Sequence, residues 1–290
     1  MQTKFFKLIG ALVLVAFLSG FVSGAMAAGQ PSVSQANGKA TVTTDQATIS
    51  VTGGGNVPFY HIQLKNDNIS YEVKFQNSLE FVDKNNDGMY QQNELVAQSD
   101  KQFPGIGWDF SGFSKTNDSN GNLANVDFNF THTATANANP VTAYPTISLN
   151  NHINVTNGNQ VKFDIVMNDY SWISSNASAK FAIKFQIAGG NLTSSSSEGL
   201  TFGGAYFNTV STASSPSGDV NVATQIDSGN SFYLIFDHFD GNFTLDPLFG
   251  ATSSNSGSST SSPSSAPGFE AFSLLGGFAV IGLVYIKKRN

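Results

Sequence analysis

The stretch Asp83-Lys-Asn85-Asn-Asp87-Gly88-Met89-Tyr-Gln91-Gln-Asn-Glu94 places side-chain oxygens at intervals that suit a hard divalent cation. It matches the pattern D-x-[DN]-x-[DN]-G-x5-E at every constrained position. Calcium takes about 6–8 oxygens, and the spacing distributes them along one turn of chain. Asp83, Asn85 and Asp87 supply side-chain oxygens and Met89 its carbonyl. Gln91 acts directly or through water, and Glu94 closes the set with two oxygens. Gly88 allows the sharp turn between them. A polar Asp/Asn/Gly hairpin turn would use the same residue types without a metal. The complete match in an acidic chain favours Ca2+.

No other motif carries chemistry as specific. There is no GxSxG, HExxH or phosphate loop. The absence of cysteine removes disulfides, thiol catalysis and thiolate metal sites together. His61, His132, His152 and His238 are scattered singly. His238 lies near Asp237 and Asp240 as a potential metal corner, although a hydrogen-bonded histidine at a strand end is the commoner arrangement. Trp108-Asp109-Phe110 and Tyr170-Ser171-Trp172 put aromatics beside acids, as sugar-binding faces do; burial in the core is their default reading. Asp118-Ser-Asn120-Gly-Asn122 and the stretch 237–242 echo the acidic loop and are read as turns. No catalytic residue is expected. A glycoside-cleaving carboxylate pair would be spatial, so the sequence alone leaves that alternative standing.

The elements that must position the loop read as strands. Tyr71, Val73, Phe75, Leu79 and Phe81 recur at period two, with Glu72, Lys74, Gln76 and Glu80 between them. Val126-Phe128-Phe130, Val161-Phe163-Ile165-Met167 and Phe181-Ile183-Phe185-Ile187 alternate in the same way. Such alternation marks antiparallel strands with one face in the core and one in water. The run 232–236 is apolar on both faces and suits a central strand. Further strands are expected at 40–51, 58–64, 108–113, 147–151, 200–207 and 220–226. No helical period is evident between the chain ends. With 25 phenylalanines to fill the gap between sheets, the pattern predicts an all-β, antiparallel β-sandwich. It spans 29–250 as one domain; the alternative is two subdomains divided near 137–145.

The chain ends place that domain. Residues 1–28 combine Lys4 and Lys7, an apolar middle and Ala25-Met26-Ala27, the make-up of a secretory signal peptide helix. Residues 251–266 are almost entirely small and polar, a flexible tether. An apolar span from Phe269 to Ile286 precedes Lys287-Lys288-Arg289, so 267–290 reads as a C-terminal transmembrane or sorting helix with the bulk of the chain outside. Setting aside those five terminal bases and Glu270 leaves 9 basic and 19 acidic residues, a net charge near −10. That balance, with Arg289 as the sole arginine, excludes a nucleic-acid partner. Asn68, Asn117, Asn129, Asn154, Asn176, Asn191 and Asn242 begin N-x-S/T sequons, the mark of a glycosylated surface in an exported chain.

Two resemblances follow from these residues. The 83–94 loop resembles an EF-hand calcium loop, but the strand-like residues before it replace the family's entering helix, and only a short helix fits after Tyr90. The likeness covers the loop alone and implies a structural ion. The tail, Pro267-Gly268-Phe269 with its apolar span and basic end, resembles the PGF-CTERM sorting signal of archaeal surface proteins. That resemblance implies processing by an archaeosortase and transfer to a lipid anchor; an ordinary single-span anchor is the alternative. Both give a cell-surface protein held at the membrane; the alternating strands and the full loop match add the expectation of a structural, adhesive or ligand-binding role, with a glycan or protein as the candidate ligand. The alternative function is a secreted carbohydrate-active enzyme or carbohydrate-binding module on the same scaffold. A solute-binding lipoprotein fits less well, lacking both a lipobox cysteine and βαβ alternation.

Overall fold

The computed structural model describes residues 30–252, except 54–56, 67, 105, 134–143, 197–198 and 228–229. The signal peptide, nearly all of the tether, the Pro267-Gly268-Phe269 motif and the C-terminal span lie outside the described residues, as does most of the 137–145 boundary. Among the described residues no helix is long and apolar enough to cross a membrane.

The strands, in chain order, are β1 (Ser32–Ala36), β2 (Lys39–Thr43), β3 (Ala47–Thr52), β4 (Phe59–Leu64), β5 (Ser70–Val82), β6 (Lys101–Gln102), β7 (Asp109–Asn117), β8 (Leu123–His132), β9 (Thr146–Asn154) and β10 (Gln160–Asn168). They continue as β11 (Ala179–Ala188), β12 (Leu192–Ser196), β13 (Gly199–Phe202), β14 (Ala205–Asn208), β15 (Thr212–Ala213), β16 (Val220–Ile226), β17 (Ser231–Phe236), β18 (Phe243–Leu245) and β19 (Leu248–Ala251). The first sheet runs β1-β2-β3-β4-β5-β11-β17-β16-β15, with β6 added on β5. The second runs β12-β13-β14-β19-β10-β9-β8-β7, with β18 added on β10. All pairings are antiparallel, so the described residues are all-β, in two antiparallel sheets with almost no helix. Strands from either side of residues 134–143 pair directly: β8 with β9, and β5 with β11.

Two expected strands are each a hairpin. The 40–51 run breaks at Thr44, whose buried hydroxyl donates to the Ala47 and Gly158 carbonyls and accepts from the Gln46 and Ala47 N–H groups. The 200–207 run folds back at Gly203-Gly204, where Gly203 has φ +61°. Threonine and glycine punctuate what hydrophobicity alone reads as continuous strand.

The inward faces of both sheets meet in one apolar core, rich in phenylalanine. Tyr60 stacks on Phe163 at 4.3 Å between ring centroids, joining β4 of the first sheet to β10 of the second. Phe185 stacks on Phe232 at 5.0 Å within the first sheet, and both rings reach Phe207 of the second. Each fully buried ring of this size contributes about 1.5–3 kcal/mol.

One irregularity positions everything that follows. Phe185 pairs with Phe75, but the next partner, Lys184, pairs with Asn77, so Gln76 is an extra residue in β5. A single inserted residue exchanges the two faces of a strand. Before it, Tyr71, Val73 and Phe75 face the main core; after it, Ser78 and Glu80 turn inward and Leu79 and Phe81 turn out. The unbroken alternation expected from Tyr71 to Phe81, with Glu80 in water, is therefore corrected: Glu80 is 0% exposed. Leu79 and Phe81, with Ala182, Tyr233 and Ile235, form a second, smaller core on the outer face of the first sheet.

Candidate functional site

The 83–94 loop leaves the end of β5 and closes over this outer core. Tyr90 is its anchor. The Tyr90 ring packs edge-to-face on Phe81 at 5.5 Å and on Tyr233 at 5.4 Å. The Tyr90 N–H donates to Gln225 Oε1 at 2.7 Å, and Gln225 Nε2 donates back to the Tyr90 carbonyl at 3.0 Å. A side-chain amide on β16 thus acts as a short strand partner for the loop. Leu95 then bridges to Phe81, and the Val96 N–H donates to the Glu80 carbonyl.

Within the loop, the carboxylates wrap the backbone. Asp83 Oδ1 accepts from the Asp87 N–H at 3.1 Å and Oδ2 from the Gly88 N–H at 3.0 Å. Asp87 Oδ1 accepts from the Met89 N–H at 2.8 Å, while its Oδ2 accepts from Asn85 Nδ2 and Gln91 Nε2. Glu94 reaches back, accepting from the Lys84 N–H at 2.9 Å and the Gln91 N–H at 3.2 Å. The residues after Tyr90 form one 3-10 turn, Gln92–Glu94, in place of a helix. Gly88 adopts φ +76° with open space where a side chain would project, so conformation rather than crowding calls for glycine there. The Met89 N–H, working against the desolvation of its own carboxyl, holds Asp87 below the usual carboxylate range; Asn85 and Gln91 add to this.

The donor set matches a calcium ion in chemistry: oxygens only, with carboxylates at both ends of the loop. Asp83 is 7% exposed and Glu94 3% exposed, yet neither forms an ion pair among the described residues. Buried carboxylates without a cation are costly, and hydrogen bonds from N–H groups offset only part of that cost. The three carboxylates bind backbone and amide N–H groups rather than converging, and no cluster of three His, Asp or Glu side chains poised to hold a metal occurs among the described residues. A cation entering the loop would take the place of those N–H partners around Asp87 and Glu94.

Two grooves flank the loop. One, of ≈ 600 Å³, is lined by Asp83, Asp87, Ser178, Lys180, Asp237 and His238. Asp237 there is paired with Lys180 and accepts from Asn221 Nδ2 at 2.8 Å. His238 stacks on Trp172 at 4.2 Å, so its ring is used in packing rather than beside Asp237 and Asp240 as a metal corner. The other groove, of ≈ 410 Å³, lies over the outer face of the first sheet, with Tyr90 and Gln92 on one side. No family model and no curated protein matches this chain.

The remaining expected residues fall as follows. Trp108 is buried, whereas Trp172 is half-buried and its indole N–H donates to the Phe239 carbonyl at 2.9 Å. Asp118 accepts from the Asn120 and Asn122 N–H groups and makes the β7–β8 turn. His152 sits outside both grooves, between Asp127 at 2.8 Å and Asp164 at 3.3 Å on adjacent strands. Of the sequon asparagines, Asn68, Asn117, Asn154, Asn176 and Asn191 are exposed, whereas Asn129 and Asn242 are half-buried.

The sequence pattern reads Glu80 as a solvent-facing strand residue and leaves Gln225 unread. Glu80 accepts from the Tyr170 hydroxyl at 2.6 Å and from the Ile173 and Ser174 N–H groups at 2.8 and 2.9 Å. It clamps the segment that leads to the edge of the first groove. The three polar residues Gln76-Asn77-Ser78, interrupting an alternating strand, were the available signal for the face exchange. Gln225 carries no local signal, since its partner is 135 residues away.

Proposed function

We propose that this chain is an exported protein anchored at the cell surface, whose β-sandwich is stapled by calcium at Asp83–Glu94 and serves a structural, adhesive or ligand-binding role. The observation that supports the calcium reading is the pair of buried carboxylates, Asp83 and Glu94, without a basic side-chain partner among the described residues, in a loop wrapped on itself and docked by Tyr90. Because the loop packs on a rigid sheet rather than between mobile helices, the ion acts as a staple and not a switch. Export and anchoring rest on the terminal segments, the Pro267-Gly268-Phe269 tail and the sequons. Outside a cell, even an affinity of about 10⁻⁴–10⁻³ M, the range of extracellular modules, suits such a site.

Calorimetric titration of the full chain with calcium chloride, paired with thermal melts in calcium and in chelator, tests this. Saturable binding and a melting temperature several degrees higher in calcium are expected. No heat of binding and superimposable melts would sink the staple. Mass spectrometry of the C-terminus from native membranes tests the tail: loss of the span after the Pro267-Gly268-Phe269 motif marks sortase-type processing, and an intact span marks a plain anchor.

A further inference from the structure

We infer that the ≈ 410 Å³ groove on the outer face of the first sheet is a binding site for a neutral glycan segment, walled by the docked loop. The inference rests on the binding role proposed above and names its site and ligand class.

The floor comes from β5, β11 and β17, and the wall from Tyr90, Gln92 and the following segment to Gln102. Its polar groups are dominated by uncharged amides: Gln76, Asn77, Gln92, Gln102 and Gln186. A solvated sheet face is ordinarily served by charged side chains; five amides around one groove instead provide donors and acceptors in fixed alternation. Gln76 Nε2 donates to Gln186 Oε1 at 3.1 Å, which leaves Gln76 Oε1 and Gln186 Nε2 without a partner among the described residues. Gln92 Oε1 accepts from the Tyr90 hydroxyl and Gln102 Nε2 donates to Asp100, which leaves Gln92 Nε2 and Gln102 Oε1 without a partner among the described residues. Adjacent donors and acceptors of this kind match the vicinal hydroxyls of a sugar ring, each of which both donates and accepts.

The cation that lines the groove, Lys184, is already occupied. Lys184 pairs with Asp227 at 2.6 Å and lies over the Tyr233 ring. Asp100 accepts from both Asn77 and Gln102. An anionic ligand would therefore find no free cation lining the groove and would face the Asp100 charge, while a neutral polyol finds amides beside two tyrosine rings. The volume lies within the usual range of small-ligand sites, about 300–1,000 Å³. The sheet supplies the floor whatever the loop does, but Tyr90 and Gln92 reach the groove only when the loop is docked.

The test is titration of the full chain, in calcium, with cellohexaose, mannohexaose, maltohexaose and chitohexaose, and with oligogalacturonate as the acidic probe. Binding of at least one neutral hexasaccharide is expected, reduced about tenfold in Gln186→Ala and in Gln102→Ala, the equivalent of roughly 1.4 kcal/mol. Both residues are exposed, so the fold is retained. Silence from all four neutral probes, equal affinity for the acidic one, or sugar binding indifferent to both variants overturns the proposal. Calcium binding without sugar binding sinks the groove alone; sugar binding without calcium binding sinks the staple and leaves the groove standing.

Discussion

The Tyr170 hydroxyl donates to Glu80 Oε1 at 2.6 Å, and this bond ties a loop of the protein to the one carboxylate that β5 turns toward its interior. Burial first, and the Glu80 charge second, push the Tyr170 hydroxyl well above the usual tyrosine range, so it remains a donor at all working pH. Both Glu80 oxygens are used, each by at least one N–H or O–H. Glu80→Gln would place an amide N–H₂ against one of these donors. It is expected to lower stability by roughly 3 kcal/mol in a urea melt, with Tyr170→Phe costing less, about 1.5–3 kcal/mol. A near-neutral Glu80→Gln would show that the clamp is slack.

Gln225 holds the acidic loop from 135 residues away, through both polar groups of Tyr90. Gln225→Ala removes two hydrogen bonds, and a global loss of about 1–2 kcal/mol follows. The local effect is the sharper readout. Amide exchange at Tyr90 should accelerate strongly while the paired residues of β11 and β17 keep their protection. Uniform loss of protection across the first sheet would instead mean that the loop and the sheet unfold as one unit.

His152 bridges Asp127 and Asp164 on the exposed side of the second sheet, with Lys162 and Asp246 paired nearby. The Asp164 hydrogen bond, aided by Asp127 and opposed by burial, raises His152 from 6.5 to about 9. A raised histidine contributes stability fully below its unfolded value and loses it as pH rises through the folded one. Asp164 behaves oppositely. Burial raises it, but the His152 hydrogen bond and charge outweigh that and leave it lowered, so its contribution is present above the ordinary aspartate value and is lost as pH falls below it, through the lowered folded value. The melting-temperature gap between the parent and His152→Gln should be widest around pH 5–6 and close as pH passes about 9. The trio is half-exposed, so the gap corresponds to about 1 kcal/mol at most. A gap that widens with alkalinity would contradict the assignment.

Two glycines with positive φ separate strain from crowding. Gly88 has φ +76° and open space around a built side chain; Gly189 has φ +92° and would bring a Cβ to 2.0 Å from the Ser70 carbonyl oxygen. Gly88→Ala should therefore cost only the roughly 1–2 kcal/mol of left-handed backbone. Gly189→Ala should cost clearly more, because the neighbour is backbone and cannot swing aside. Denaturant melts of the two variants decide the order, and equal costs would mean that β5 and β11 yield at their ends.

Much of the architecture was legible because alternation reports which face is wet. Val161 to Met167 and Phe181 to Ile187 obey it and lie where it places them. The acidic loop was legible because its spacing is local, and its path from strand to 3-10 turn follows that spacing. Glu80 was misread because one extra residue, Gln76, reverses the meaning of every position after it. Gln225 and the amide-lined groove were invisible for a different reason. They are assembled from segments far apart in the sequence, β5, β11 and β17 among them, that meet only through the sheet order.

Glu94 offers the most direct probe of the acidic loop. Its two oxygens hold the Lys84 and Gln91 N–H groups, and it is 3% exposed with no basic partner among the described residues. Glu94→Gln keeps the volume, removes the charge and turns an amide N–H₂ toward one of those N–H groups. If the loop holds calcium, the variant should bind it at least tenfold more weakly, and its melting temperature should no longer differ between calcium and chelator. In chelator the same variant has a competing advantage, because an uncharged buried side chain relieves the repulsion and desolvation that the empty loop suffers. Its apo form should therefore melt no lower than the apo parent by more than the cost of one lost hydrogen bond, about 1 kcal/mol. Lys84→Ala is the control, since among the described residues its Nζ reaches only the Asn93 carbonyl at the surface. A Glu94→Gln chain that keeps the full calcium response would place the ion elsewhere and reduce the loop to a hydrogen-bonded turn.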